Sequence, residues 1–221
     1  IDELHVNKTY PTAQAVIGDA KFALQALTAE LSAKTSSNGR PAGNVAAEVK
    51  SVRDSAMVKY REAMASTEKP INPYKVYAGL MEALDPHKSF VTHESGNTRD
   101  QLSTVYDTLV PRAFLGWGNV SSLGFSFAAT IAAKLSFPEK QCVAVTGEAG
   151  LGYMLGQLEV ALRQKIGITV VHVSNGGFAG YGPGFWGDGH DPFTHKVLGY
   201  DEVDMSKVIG GDARAIICNA D

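Results

Sequence analysis

Gly147-Glu148-Ala149-Gly150-Leu151-Gly152 follows the apolar run Cys142 to Thr146, and Ser174-Asn175-Gly176-Gly177 follows the apolar run Ile168 to Val173. Both runs are short and rich in β-forming residues, so each reads as a buried strand, and Tyr153 to Lys165 between them carries apolar residues at helical spacing. The unit is strand, Gly-rich turn, helix, strand. A helix of about 13 residues returns the chain roughly 20 Å, nearly the distance that a strand of about 6 residues runs forward. Glu148 and Asn175 lie 27 positions apart. They are therefore expected side by side at the carboxyl ends of neighbouring parallel strands, where open α/β sheets bind ligands.

A carboxylate, an amide oxygen and Gly-flanked carbonyls are hard oxygen donors, which suit magnesium or calcium better than zinc. Magnesium keeps positions open for phosphate oxygens, and the turn from Ala149 to Gly152 presents backbone N–H groups at a helix N-terminus, which attracts anions. The pattern points to a metal-bridged diphosphate. An ordinary crossover with a Gly-rich turn fits the same spacing. So does a variant dinucleotide fingerprint, Gly150-x-Gly152-x-x-x-Gly156, but that fold wants an acidic residue at the end of the second strand. Ser174 to Gly177 supplies none.

These residues resemble the signature of the thiamine-diphosphate enzymes of the acetolactate synthase type, Gly-Asp-Gly followed after a helix and a strand by Asn-Asn. The resemblance implies that Glu148, Asn175 and the backbone carbonyl of Gly177 hold Mg2+, which in turn holds the diphosphate, with Gly147, Ala149 and Gly150 flanking it. Glu148 stands where the family has Asp, and Ser174 where it has the first Asn. Upstream, Leu115-Gly116-Trp117-Gly118-Asn119-Val120-Ser121-Ser122-Leu123-Gly124-Phe125 is similar to the family's Gly-rich segment. By that resemblance Leu123 wedges between the two cofactor rings and Ser121 lies against the cofactor; without it, Leu123 reads as a core residue at a helix start. Further upstream, Val91 to Thr98 is similar to the segment that binds the far end of the diphosphate, placing Ser95, Gly96, Asn97 and Thr98 there. A loop with a helix N-cap is the plain reading of that segment.

The resemblance implies an α/β fold, a parallel sheet with helices on both faces, preceded by a short helical remnant and a linker. Residues 1–35 would be the C-terminal remnant of the family's middle domain, 36–70 a linker with a helix, and 71–221 the diphosphate-side domain, truncated at its C-terminus. The residues give the same outline. Asp19 is placed to cap a helix with Phe22, Leu24, Leu27 and Leu31 on one face. Thr35 to Gly43 is polar, Asn44 is expected to cap a helix through Met64, and Pro70 and Pro73 end the connection. An amphipathic helix through Tyr74, Tyr77, Leu80 and Leu84 precedes a strand from Ser89 to Thr92, and Gly124 to Ser136 reads as a small-residue helix.

Composition is that of a globular protein, 44% hydrophobic and 19% charged with net charge −3, which gives no electrostatic footprint for nucleic acid or an anionic membrane. Cys142 and Cys218 lack paired spacing, so reduced thiols and a cytoplasmic location are expected. No apolar run approaches the roughly 20 residues of a membrane span. Phe178 to Lys196 reads as a lid or binding loop. Its Asp188, His190, Asp191 and His195 form a His/Asp cluster for which exposed loop polars are the plain reading, and His172 reads as a core histidine.

The function that the resemblance implies is thiamine-diphosphate chemistry on a 2-oxo acid or acyl substrate: decarboxylation, C–C bond cleavage or carboligation. The activating Glu is expected in a separate pyrimidine-binding domain, so no catalytic residue is assigned within these residues and the isolated chain is expected to be inactive. The parent protein is expected to be a homodimer or homotetramer. Two other readings stay open at this point: a degenerate relative serving as a non-catalytic binding module, and a dinucleotide-binding dehydrogenase domain.

Overall fold

The computed structural model describes residues 3–35 and 43–174, in two compact units that divide between Ser55 and Ala56. The first unit holds a short 3-10 turn at Glu3–His5 and helix α1, Ala20–Lys34. Asp19 caps α1 as its sequence position requires: its carboxylate accepts from the amides of Lys21 at 2.9 Å and Phe22 at 3.4 Å. The expected four-residue apolar face is narrower. At 3.6 residues per turn Leu24, Leu27 and Leu31 share a stripe while Phe22 points away from it, and all four are exposed. Helix α2, Val45–Met64, crosses the division between the units. Its early Val45, Val49 and Val52 are exposed; its later Met57, Tyr60 and Met64 pack against the core of the second unit.

That core forms around four strands. Helix α3, Pro73–Ala83, starts with the Asn72 carboxamide accepting from the Tyr74 amide at 3.0 Å. Pro73 therefore opens this helix rather than closing the connection before it, because a first-turn proline lacks only an N–H that would have been unpaired anyway. Then come β1 (Ser89–His93), α4 (Asn97–Val105), β2 (Phe114–Leu115), α5 (Phe125–Ser136), β3 (Gln141–Thr146), α6 (Glu148–Met154), α7 (Gln157–Arg163) and β4 (Thr169–His172). The strands are all parallel, in the order β2-β1-β3-β4.

The period-two alternation of strand side chains builds two cores, one on each face. Val91, Val143 and Val145 point to the side covered by α3 and α4, where they meet Tyr77, Leu102 and Val105. Phe90 and Cys142 point to the other side, against Ala133 of α5. Tyr77 is wholly buried with its hydroxyl donated to the Gln101 side chain at 3.0 Å, and burial holds that hydroxyl protonated above the ordinary phenol range. The expected α/β architecture with helices on both faces is thus present.

One expectation is corrected, and one strand carried no expectation. The crossover from β3 to β4 is not one helix over Tyr153 to Lys165 but two, α6 and α7, separated at Leu155 and Gly156. Glycine is a poor helix former, and helix also begins earlier, at Glu148, so Ala149 to Gly152 lie inside its first turns. Strand β2 carries no alternation long enough to be read from sequence, being two residues. The expectations for Asn175, Gly177, the loop 178–196 and Cys218 lie outside the described residues.

Candidate cofactor-binding rim

Chain order and strand order together locate a crevice. The connection from β1 runs through α4 to β2 on one side of β1; the next runs through α5 to β3 on the other side. Parallel crossovers are right-handed, so reversing direction puts α4 and α5 on opposite faces and leaves the carboxyl ends of β1 and β3 open between them. That switch point is where doubly wound sheets bind ligands.

At the β3 end, Gly147 leaves the strand in extended conformation and Glu148 opens α6. The Glu148 side chain is 4% exposed. The Ser174 hydroxyl donates to its Oε1 at 3.1 Å, and the Val173 amide donates to the Thr146 carbonyl at 2.9 Å. The exits of β3 and β4 therefore meet as the sequence argument requires, with Ser174, the neighbour of Asn175, on Glu148. A buried carboxylate with a hydroxyl beside it offers hard oxygen donors of the kind that magnesium takes.

At the β1 end the chain turns through Glu94, Ser95 and Gly96 into α4. Gly96 has φ 87°, a left-handed conformation that glycine takes without a side-chain clash. No side chain caps α4, so its first amides keep the partial positive charge that favours an anion. Asn97 and Thr98 are its first residues; Thr98 is buried with its hydroxyl donated to the Glu94 carbonyl at 3.2 Å, while Ser95 is half-buried and Gly96 exposed. Of the four expected diphosphate-side residues, three therefore leave polar groups accessible, and Thr98 serves the turn itself.

The Gly-rich segment forms the third wall. Gly124 has φ 89°, and a Cβ there would stand 2.5 Å from Met154 Cγ, so the start of α5 lies close against the end of α6. Leu123, just before it, is half-buried, and Ser121 is exposed with φ 58°. Earlier in the segment Gly116 lies under His93; a Cβ there would stand 2.1 Å from the imidazole. Burial of His93 pushes its pKa below the ordinary imidazole value, aided by the charge of Arg99 and opposed by the Glu94 carbonyl contact and by the charges of Glu94 and Asp100. The Arg99 guanidinium lies over the Trp117 ring, 5.2 Å from its centroid.

One buried group at this rim carried no sequence signal of its own. Glu94 is 1% exposed. Its Oε1 accepts from the Ser95 amide at 3.0 Å and its Oε2 from the Ser126 hydroxyl at 2.8 Å. An acid directly after an apolar strand is the only trace of it in the sequence, and such an acid more often faces solvent.

Known proteins bear on this rim. A family model described as the thiamine pyrophosphate enzyme C-terminal TPP-binding domain matches residues 94–210. The probable acetolactate synthase large subunit of Methanococcus aeolicus is 25% identical over 178 residues, 77% of this chain and 29% of that protein. 2-Hydroxyacyl-CoA lyase 1 of Mus musculus is 29% identical over 131 residues, 57% of this chain and 22% of that protein. Oxalyl-CoA decarboxylase of Escherichia coli K12 is 23% identical over 192 residues, 86% of this chain and 32% of that protein. The chain thus spans less than a third of the length of these relatives. The family match begins at Glu94 and covers both strand exits.

Proposed function

The chain belongs to the thiamine pyrophosphate enzyme family, and on that premise we propose that it supplies the magnesium- and diphosphate-holding side of an enzyme acting on 2-oxo acids or acyl substrates. The reaction is decarboxylation, C–C bond cleavage or carboligation of the acetolactate synthase type. The observation that carries this reading is the hydrogen bond from Ser174 to Glu148, because it brings the acidic turn of β3 to the residue preceding Asn175.

The residues divide the work. Glu148, Asn175 and the Gly177 carbonyl would hold Mg2+. The uncapped start of α4, with Ser95, Gly96 and Asn97, would receive the far phosphate, and Leu123, with Ser121 nearby, would lie against the cofactor rings. Thiamine diphosphate, when bound, supplies a thiazolium carbon that becomes the nucleophile; the protein positions and tunes it. Among the described residues of this rim we assign none to take the first proton. That role belongs to a glutamate from the family's pyrimidine-binding domain, and the parent assembles as a homodimer or homotetramer to present it. The buried free thiol of Cys142 suits a reducing, cytoplasmic location. Among the described residues no helix is long and apolar enough to cross a membrane.

Thiamine-diphosphate-dependent decarboxylation of pyruvate measured on this chain alone is the test of the division of labour. No turnover, together with magnesium-dependent cofactor binding, is expected. Turnover by the chain alone would overturn the assignment of proton transfer to another domain. A non-catalytic binding module is the second reading, favoured by Glu148 in place of Asp and Ser174 in place of Asn; it predicts no thiamine diphosphate binding by the parent protein.

A further inference from the structure

Glu94 belongs to a continuous buried polar chain. The Thr130 and Thr92 hydroxyls lie 2.8 Å apart, the Thr92 hydroxyl reaches the Ser126 carbonyl at 2.7 Å, and the Ser126 hydroxyl donates to Glu94 Oε2. Glu94 Oε1 then accepts from the Ser95 amide. All four side chains are buried, none more than 1% exposed. The backbone of Glu94 is held as firmly: its amide donates to the Val145 carbonyl at 2.9 Å, and its carbonyl accepts from the Thr98 hydroxyl. A further contact reaches the other half of the crevice. A Cβ on Gly150 would stand 2.4 Å from Glu94 Cγ and 2.6 Å from Oε2, so the first turn of α6 rests directly on this carboxylate.

We propose that Glu94 is the positioning residue of the cofactor rim: its buried carboxylate ties the Ser95–Thr98 turn, the start of α5 and the Glu148-bearing turn of α6 into one preformed frame. The proposal takes only the identity of the ligand from the thiamine-diphosphate reading. Glu94 itself touches neither metal nor cofactor. A satisfied buried network is rigid because each member loses a partner if any other moves. The carboxylate suits this position because it accepts at both oxygens, one from a backbone amide and one from a hydroxyl. Gly150 suits it because only a residue without a side chain lets the α6 backbone approach so closely.

Amide hydrogen exchange on the ligand-free full chain tests this without any cofactor. In Glu94→Ala, exchange is expected to rise about tenfold or more both at Ser95–Thr98 and at Gly150 and Leu151, while Val143 to Val145 of β3 stay protected. Glu94→Gln, which can accept from Ser95 and donate to Ser126, is expected to restore protection to within about threefold. A rise confined to Ser95, or spread equally through β3, would overturn the proposal. Should Glu94→Ala fail to fold, Ser126→Ala removes one arm alone and is expected to loosen the same two turns; unchanged exchange there would also overturn it. A thiamine diphosphate titration with Mg2+ adds the functional arm, with affinity expected to fall at least about tenfold in Glu94→Ala and to recover in Glu94→Gln. Wild-type affinity in Glu94→Ala counts against the proposal. Absence of binding by the wild type, with the exchange pattern as expected, would sink the cofactor reading and leave the positioning role standing.

Discussion

Glu94 and Glu148 occupy almost equivalent places, the first directly after β1 and the second two residues after β3, and both are at least nine-tenths buried. Their surroundings differ. Glu94 is gripped by a backbone amide and by Ser126, itself wholly buried and joined to Thr92 and Thr130. Glu148 meets the hydroxyl of Ser174, an exposed residue at the exit of the next strand. Burial alone therefore does not separate the two roles that we propose for these carboxylates. One difference is that the Glu94 partners belong to the packed interior, whereas Ser174 lies at a strand exit.

The sharpest way to break this comparison is to remove each carboxylate in turn. Glu148→Ala is expected to weaken magnesium-dependent thiamine diphosphate binding by at least about 100-fold, roughly 2.7 kcal/mol, with little change in melting temperature, as read by calorimetric titration and thermal denaturation. Glu94→Ala is expected to act first on the fold. Losing a buried side chain and orphaning the Ser95 amide and the Ser126 hydroxyl costs about 2–4 kcal/mol, visible in urea denaturation. If the two variants exchanged phenotypes, the distinction between them would fail.

Gly150→Ala sharpens the same contrast by pressing on Glu94 from α6. The added Cβ, 2.4 Å from Glu94 Cγ, must displace that side chain, an overpacking cost of about 1–3 kcal/mol. Denaturation at matched conditions should show a loss smaller than that of Glu94→Ala; no loss would mean that the turn shifts freely.

His93 gives a pH test of the β1 corner. Its folded pKa lies below the ordinary value of 6.5, so between the two values the unfolded chain binds more protons than the folded one. Its contribution to stability is complete above about pH 6.5 and is lost as pH falls toward the folded pKa. Glu94, Asp100 and Arg99 are the charges acting on it. His93→Gln should flatten the stability profile in that window, and an unchanged slope would assign the slope to other groups. The smallest effect is expected at an exposed position: Leu27→Ala, on α1, should change stability by no more than about 0.5 kcal/mol.

The sheet was legible in sequence because its signals are local. Apolar runs at Ser89, Cys142 and Ile168 with polar or Gly-rich exits specify parallel buried strands, and all three formed within a residue or two of the expected bounds. Asp19 caps its helix for the same local reason. The break in the crossover helix was less legible: its apolar spacing continues past Gly156, and propensity alone does not say which glycine interrupts a helix. Apolar spacing in α1 likewise announced a helix without announcing burial, since burial depends on what the face meets. At the rim, the joining of the β3 and β4 exits was expected from the strand–helix–strand order, although the single helix assumed in its length argument formed as two. The role of Glu94 was not, because its partners Ser126 and Gly150 lie 32 and 56 positions away, and no spacing rule connects them.

The central claim, that this rim holds thiamine diphosphate through magnesium, is tested most directly by titrating the full chain with thiamine diphosphate in the presence of Mg2+ and again in EDTA, with NADH as the control ligand. Saturable binding with Mg2+, its loss in EDTA and no binding of NADH are the expected results. Binding that is indifferent to EDTA would contradict the metal bridge, and no binding of thiamine diphosphate under either condition would contradict the account itself.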